Sequence, residues 1–222
     1  MESVVSTPND KIADTPWRLV FISSPVNLNE EDITGKENIF MQFQGRSEFV
    51  HDGNIHSYNW PTLRQQILEA KQNNSHLLVL CSTDHRFSKH YTVDYLSKCI
   101  AVAEEKEADL LLGAINWFEG AVQMNDHLFW VDKFIGFQFV ILFRRCYDTL
   151  LNIKDNIISD QLLSEVAANK LLTYPFISCV TKKLARLKPT SEEDLFLADP
   201  SDQLALLQHV KNYYSTERNH II

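Results

Sequence analysis

Two uninterrupted apolar runs, Leu77-Leu-Val-Leu-Cys81 and Leu110-Leu-Leu-Gly-Ala-Ile115, constrain this chain more than any other feature. Alternating apolar and polar residues mark a strand with one wet face, whereas a run that is apolar at every position fits a strand covered on both faces. Between the two runs, a segment from Thr92 places Val93, Leu96, Cys99, Ile100 and Ala103 at helical spacing. Strand, helix, strand in this order is the pattern of a parallel sheet with crossover helices. The pattern also extends backwards. Pro61–Gln72 carries Leu63, Ile67, Leu68 and Ala70 on one face, with Pro61 suited to a first helical turn and Asn73-Asn74 as the stop.

The rest of the chain supplies further elements of the same kind. Trp17–Ile22 predicts an opening strand closed by Ser23-Ser24-Pro25, and Ile39–Phe43 a weaker second one. Asn125-Asp126 predicts a hairpin turn between Ala121–Met124 and His127–Val131, and Phe137–Phe143 predicts the strongest strand. Helices are expected over Arg145–Ile153 and from Ser159 as N-cap, with Leu162, Leu163, Val166 and Ala167 as the second helix's apolar face. Leu172–Val180 predicts a last strand, and its internal Pro175 points to a sheet edge. An amphipathic stretch over Asp202–Tyr213 closes the chain. The expectation is one α/β domain over residues 15–188, a three-layer sandwich with a mixed, mainly parallel sheet. A disordered N-terminus over 1–14 and a helical C-terminal extension over 189–222 flank it.

Composition removes several classes of function. With 21 basic against 29 acidic residues the net charge is −8, which repels a phosphate backbone and argues against a nucleic-acid partner. Glycine and proline number only 6 and 7, and neither a Walker loop nor a dinucleotide fingerprint occurs. Cys81, Cys99, Cys146 and Cys179 form no CxxC pair and have mostly apolar neighbours, which predicts reduced core thiols. The first 14 residues lack the basic flank and apolar stretch of a signal peptide, and the longest apolar run is too short to span a bilayer. A cytoplasmic location is expected.

Ligands of open α/β sheets bind at the carboxyl ends of the strands. This draws attention to Ser82-Thr83-Asp84-His85, where polar residues follow the first apolar run abruptly. A carboxylate and an imidazole there suit a divalent cation or the phosphates it bridges, while Asp84 or Ser88 as a helix cap is the plain alternative. Leu77–Phe87 resembles the apolar strand, acidic motif and following aromatic of nucleotide-sugar glycosyltransferases of the A-type fold. Upstream, Gly53-Asn-Ile-His-Ser57-Tyr58 is similar to the Gly-Cys-x-x-Ser-His element of the lipooligosaccharide and collagen glycosyltransferase family. Gly53 and Ser57 match it and Asn54 and Tyr58 depart, while the family's Glu-Asp-Asp is replaced by Ser82-Thr83-Asp84. Downstream, an aromatic strand, Leu150-Leu151, Ser159-Asp160 and Tyr174-Pro175 follow in the family's order, so the resemblance runs from Trp17 to Val180.

The resemblance implies a hexosyl-type transfer from a nucleotide-diphosphate sugar to an acceptor hydroxyl on a glycan or glycoconjugate, in surface polysaccharide or glycoconjugate synthesis. Ser57, Ser82, Thr83, Asp84 and His85 would then bind the donor, Asp84 with a manganese or magnesium ion, and Asp160 would act as base or orient the acceptor. Charge–dipole support at a helix start is the plain reading of Asp160. Trp117 and Trp130 are candidates for stacking on a sugar ring, with core packing as the alternative. Arg144 and Arg145, and separately Lys182, Lys183, Arg186 and Lys188, are the basic concentrations available to a diphosphate; the second group would give at most a peripheral membrane contact. The other histidines show no metal-ligand spacing. Because only Asp84 remains of the acidic triplet, a nucleotide-sugar or protein-binding module without turnover is the rival reading.

Overall fold

The computed structural model describes residues 17–23, 46–51, 57–82, 85–137, 139–154, 157–180 and 200–219. The candidate strand at Ile39–Phe43, residues 1–14, and the basic group from Lys182 to Lys188 lie outside them. Strands β1 (Trp17–Ser23), β2 (Arg46–His51) and β3 (Ser57–Asn59) precede helix α1 (Trp60–Gln72). Then come β4 (Leu77–Ser82), β5 (His85–Phe87), helix α2 (Val93–Glu105), β6 (Leu110–Leu112), β7 (Ile115–Phe118), β8 (Ala121–Gln123), β9 (Leu128–Val131), β10 (Phe134–Phe137) and β11 (Phe139–Phe143). A 3₁₀ turn at Arg144–Cys146 leads into α3 (Tyr147–Leu151), followed by β12 (Ile157–Ser159), α4 (Asp160–Val166), β13 (Lys170–Thr173), β14 (Ser178–Val180) and α5 (Pro200–Asn219).

Among the described residues one sheet of eight strands, ordered β2-β1-β4-β11-β6-β13-β9-β8, forms the middle layer. Its pairings make β2, β1, β4, β6, β13 and β8 run in one direction and β11 and β9 against them, the mixed, mainly parallel sheet expected. The apolar runs are continuous because the sheet is covered twice. Leu78, Leu80, Leu110, Leu112, Val140, Leu142 and Leu172 face one core, together with Leu63 and Ile67 of α1, Leu150 of α3, Leu163 of α4 and Leu207 of α5. Leu77, Val79, Cys81, Leu111, Phe139, Ile141 and Leu171 face the other, closed by Leu96, Cys99, Ile100 and Ala103 of α2. The side-chain period of two in a strand produces this division. Each fully buried aliphatic side chain contributes about 1.5–3 kcal/mol.

Local chemistry sets the element ends. Thr92 caps α2, its hydroxyl accepting from the Tyr95 N–H at 3.0 Å. Asn74, at φ 56°, takes the left-handed conformation beyond α1. Three expected strands are divided. Leu110–Ile115 breaks at Gly113-Ala114 into β6 and β7, and β10 ends at Phe137 where the run to Phe143 was expected to begin. Leu172–Val180 becomes β13 and β14, and β13 lies inside the sheet between β6 and β9 rather than near an edge. Pro175 follows a cis peptide bond after β13 has ended, so its missing N–H removes nothing from the ladder.

Candidate functional site

The connections that leave the carboxyl ends of the parallel strands carry three small two-stranded sheets: β5 with β14, β7 with β10, and β3 with β12. β5 and β14 directly follow β4 and β13, β7 follows β6, and β10 enters the antiparallel β11 from the same end. β3 and β12 stand immediately before α1 and α4, helices that return the chain to the starts of β4 and β13. This edge is the topological place for a ligand in such a sheet.

The β3–β12 pairing sets Ser57 opposite Ser159, one residue before Asp160. Two residues separated by about a hundred positions in the chain are thus brought to one place. Asp160 opens α4 and is 1% exposed. Its Oδ2 accepts a hydrogen bond from the Gly136 N–H at 3.1 Å, and its Oδ1 has no hydrogen-bond partner among the described residues. Burial pushes its pKa up to about 8, although the N–H groups of Gly136 and Phe137 pull in the opposite direction. Gly136 is required here. Its φ is +70°, and a Cβ on it would lie 2.5 Å from Nδ2 of the buried Asn116 in the paired strand β7.

His85, first in β5, is 2% exposed, and its Nδ1 shares a 2.8 Å hydrogen bond with Oγ of Ser178, equally buried in β14. Its ring stands edge-on to Phe87 with centroids 4.5 Å apart and lies tilted on Phe139 at 5.5 Å. The imidazole is therefore seated in an aromatic pocket. Ser82 ends β4, while Thr83 and Asp84 lie outside the described residues. Among the described residues no group of three or more His, Cys, Asp or Glu side chains is placed to hold a metal ion, and Asp84 lies outside them.

The two tryptophans occupy different sheets. Trp117, half-buried in β7, lies opposite Ile135 of β10. Trp130, half-buried in β9, packs against the core layer closed by α2. Arg144 and Arg145 follow β11 at the far end of the sheet: the Arg144 N–H bonds the His76 carbonyl at 2.9 Å, and its guanidinium bonds Asn74. They stand away from the carboxyl edge. Sequence reasoning missed Asn116, Gly136, Ser164 and Ser178. Gly136 carried a signal, since a lone glycine within the apolar stretch Phe134-Ile-Gly-Phe137 marks a close approach.

No family model matches the sequence, and no curated protein matches it. Among solved structures, the chain is similar to the protein A197 from STIV, at 11% identity over 78% of this chain and 99% of that one, with a TM-score of 0.48. It is similar to UDP-glucose pyrophosphorylase complexed with UDP-glucose at 9% identity, over 74% of each chain, with a TM-score of 0.41. A third likeness is to mannose-1-phosphate geranyltransferase from Thermus thermophilus, at 8% identity over 72% of this chain and 73% of that one, with a TM-score of 0.43. Likenesses this distant do not decide an activity. Among the described residues no helix is long and apolar enough to cross a membrane.

Proposed function

We propose that the protein transfers a sugar from a nucleotide-diphosphate donor to an acceptor hydroxyl, with Asp160 as the group that takes the acceptor's proton. The observation that supports this reading is Asp160 itself, a buried carboxyl at the carboxyl edge with one oxygen held by Gly136 and the other without a partner among the described residues. A general base is most effective when its pKa lies near the working pH, and burial brings this one to about 8. In the transfer the acceptor oxygen bonds to the anomeric carbon as its proton passes to Asp160. The bond from that carbon to the diphosphate breaks, and the leaving group keeps the electron pair. Ser57, opposite Ser159, and Ser82, at the end of β4, stand at the edge where the donor would lie. A bound divalent cation would neutralise charge on the departing diphosphate, with Asp84 as the residue to hold it.

The test combines binding and turnover. Calorimetric titration with a panel of uridine-diphosphate sugars, with and without manganese, is run on the native protein and on Asp84→Asn, alongside transfer assays on native protein and Asp160→Asn. Donor binding strengthened by manganese in the native protein alone is expected for Asp84. Asp160→Asn should lower the transfer rate about 10²- to 10⁴-fold while donor affinity stays near the native value. Binding without transfer across donors and acceptors would favour the non-catalytic module, and absence of binding by every nucleotide sugar would overturn both readings.

A further inference from the structure

Helix α4 carries two acceptor side chains one turn apart, Asp160 and Ser164, both buried. Alternate N–H groups of a strand point to the same side, so Phe134 and Gly136 of β10 present theirs together. Ser164 Oγ accepts from the Phe134 N–H at 2.8 Å, and Asp160 Oδ2 from the Gly136 N–H at 3.1 Å. The helix thus supplies, through two side chains, the acceptors that a neighbouring strand would give. On the other side of β10, Asn116 of the paired strand β7 fills the space beside Gly136.

We propose that these two bonds form a proton-dependent clasp: with Asp160 neutral, α4 holds β10, and ionisation of Asp160 releases the first turn of α4 from the strand so that water reaches the carboxylate. Among the described residues the paired elements supply no charge to compensate an ionised Asp160. β10, β12 and β7 contain no ionisable residue, and β3 contributes Tyr58 alone. On α4 itself Glu165 is exposed, and Lys170 donates to the Ser164 and Ala167 carbonyls at the helix's other end. The N–H groups of Gly136 and Phe137 favour the charged form, but burial outweighs them. Charge in the closed clasp is therefore a cost that hydration relieves. Opening would loosen β10 and its partner β7, which carries Asn116 and Trp117 at the carboxyl edge. The clasp concerns the fold around Asp160 and stands whether or not that residue is a base.

Amide hydrogen exchange of Phe134 and Gly136, followed between about pH 6 and about pH 10 and corrected for the intrinsic base-catalysed rate, tests the clasp. In the native protein, protection at both amides should fall about tenfold per pH unit up to the pH at which Asp160 ionises in the closed clasp, and level off above it. Asp160→Asn should show no such step. Ser164→Ala should weaken protection at Phe134 at every pH while the step at Gly136 persists. The carbon-13 shift of the Asp160 carboxyl, read on the native protein, should titrate where the fall in protection levels off. A native profile without a step, or the same step in Asp160→Asn, would overturn the proposal. If that variant does not fold, the native data decide: a carboxyl midpoint that coincides with the end of the fall supports the clasp, and separation sinks it. No ligand or turnover enters these measurements, so the clasp and the transferase reading can fail independently.

Discussion

At the scale of single residues, the sign of one substitution separates what Asp160 is in the chain from what it is in the fold. An acid at a helix start ordinarily gains from the dipole, and Asp→Asn would then cost roughly 0.3–1 kcal/mol. Burial reverses this. With the folded pKa raised from 3.8 to about 8, the folded state binds more protons than the unfolded state between those values, so native stability falls as pH rises through that window. Asp160→Asn lacks the titration, and its stability relative to native should climb by about 1.4 kcal/mol per pH unit across the window. Denaturant midpoints of both proteins from about pH 5 to about pH 8.5 provide the check, and a difference independent of pH would show that the carboxyl is not buried as described. The sequence made Asp160 visible as an acid after a capping serine. Its burial was not visible, because that depends on Gly136 and Phe137, which reach it only through the packing of α4 on β10. Likewise His85 could be placed after a strand end, but its partner Ser178 is 93 residues away.

Among the elements, those read correctly were the ones whose evidence is local: the doubly covered strands, the start of α2 at Thr92 and the asparagine stop of α1. The misread boundaries sit where long-range contacts cut a run of uniform hydropathy. Gly113 is such a point. Its carbonyl accepts from the Ile177 N–H at 3.0 Å, the Ser178 N–H at 3.3 Å and the Thr173 hydroxyl at 3.1 Å, which joins the end of β6 to the connection between β13 and β14. A Cβ there would lie 2.9 Å from Cδ1 of Phe139 and 3.1 Å from Cγ1 of Ile177. Gly113→Ala should therefore destabilise the protein by about 1–3 kcal/mol through overpacking. Chemical denaturation measures this, and an unchanged midpoint would mean that Phe139 and Ile177 yield freely.

For the whole molecule, both cores shield the thiols they contain. None of the four cysteines is in a disulfide; Cys81, Cys99 and Cys146 are buried and Cys179 is partly exposed. Burial lifts the Cys99 and Cys146 thiols to about 12, which removes the reactive thiolate at neutral pH. A thiol reagent should label Cys179 first in the native protein and reach all four cysteines only after denaturation without reductant; two or fewer would overturn the reduced state. The cores also close at different points along the chain. Among the described residues the layer beneath α2 has its last buried residue at Ile177, while the opposite layer has Leu207 of α5, whose neighbour Gln208 accepts from the Tyr174 hydroxyl. A chain emerging from the ribosome can therefore seal one face of its sheet about thirty residues, roughly 2–6 s of synthesis, before the other. During that interval the apolar side chains awaiting α5 are the surface a chaperone would meet.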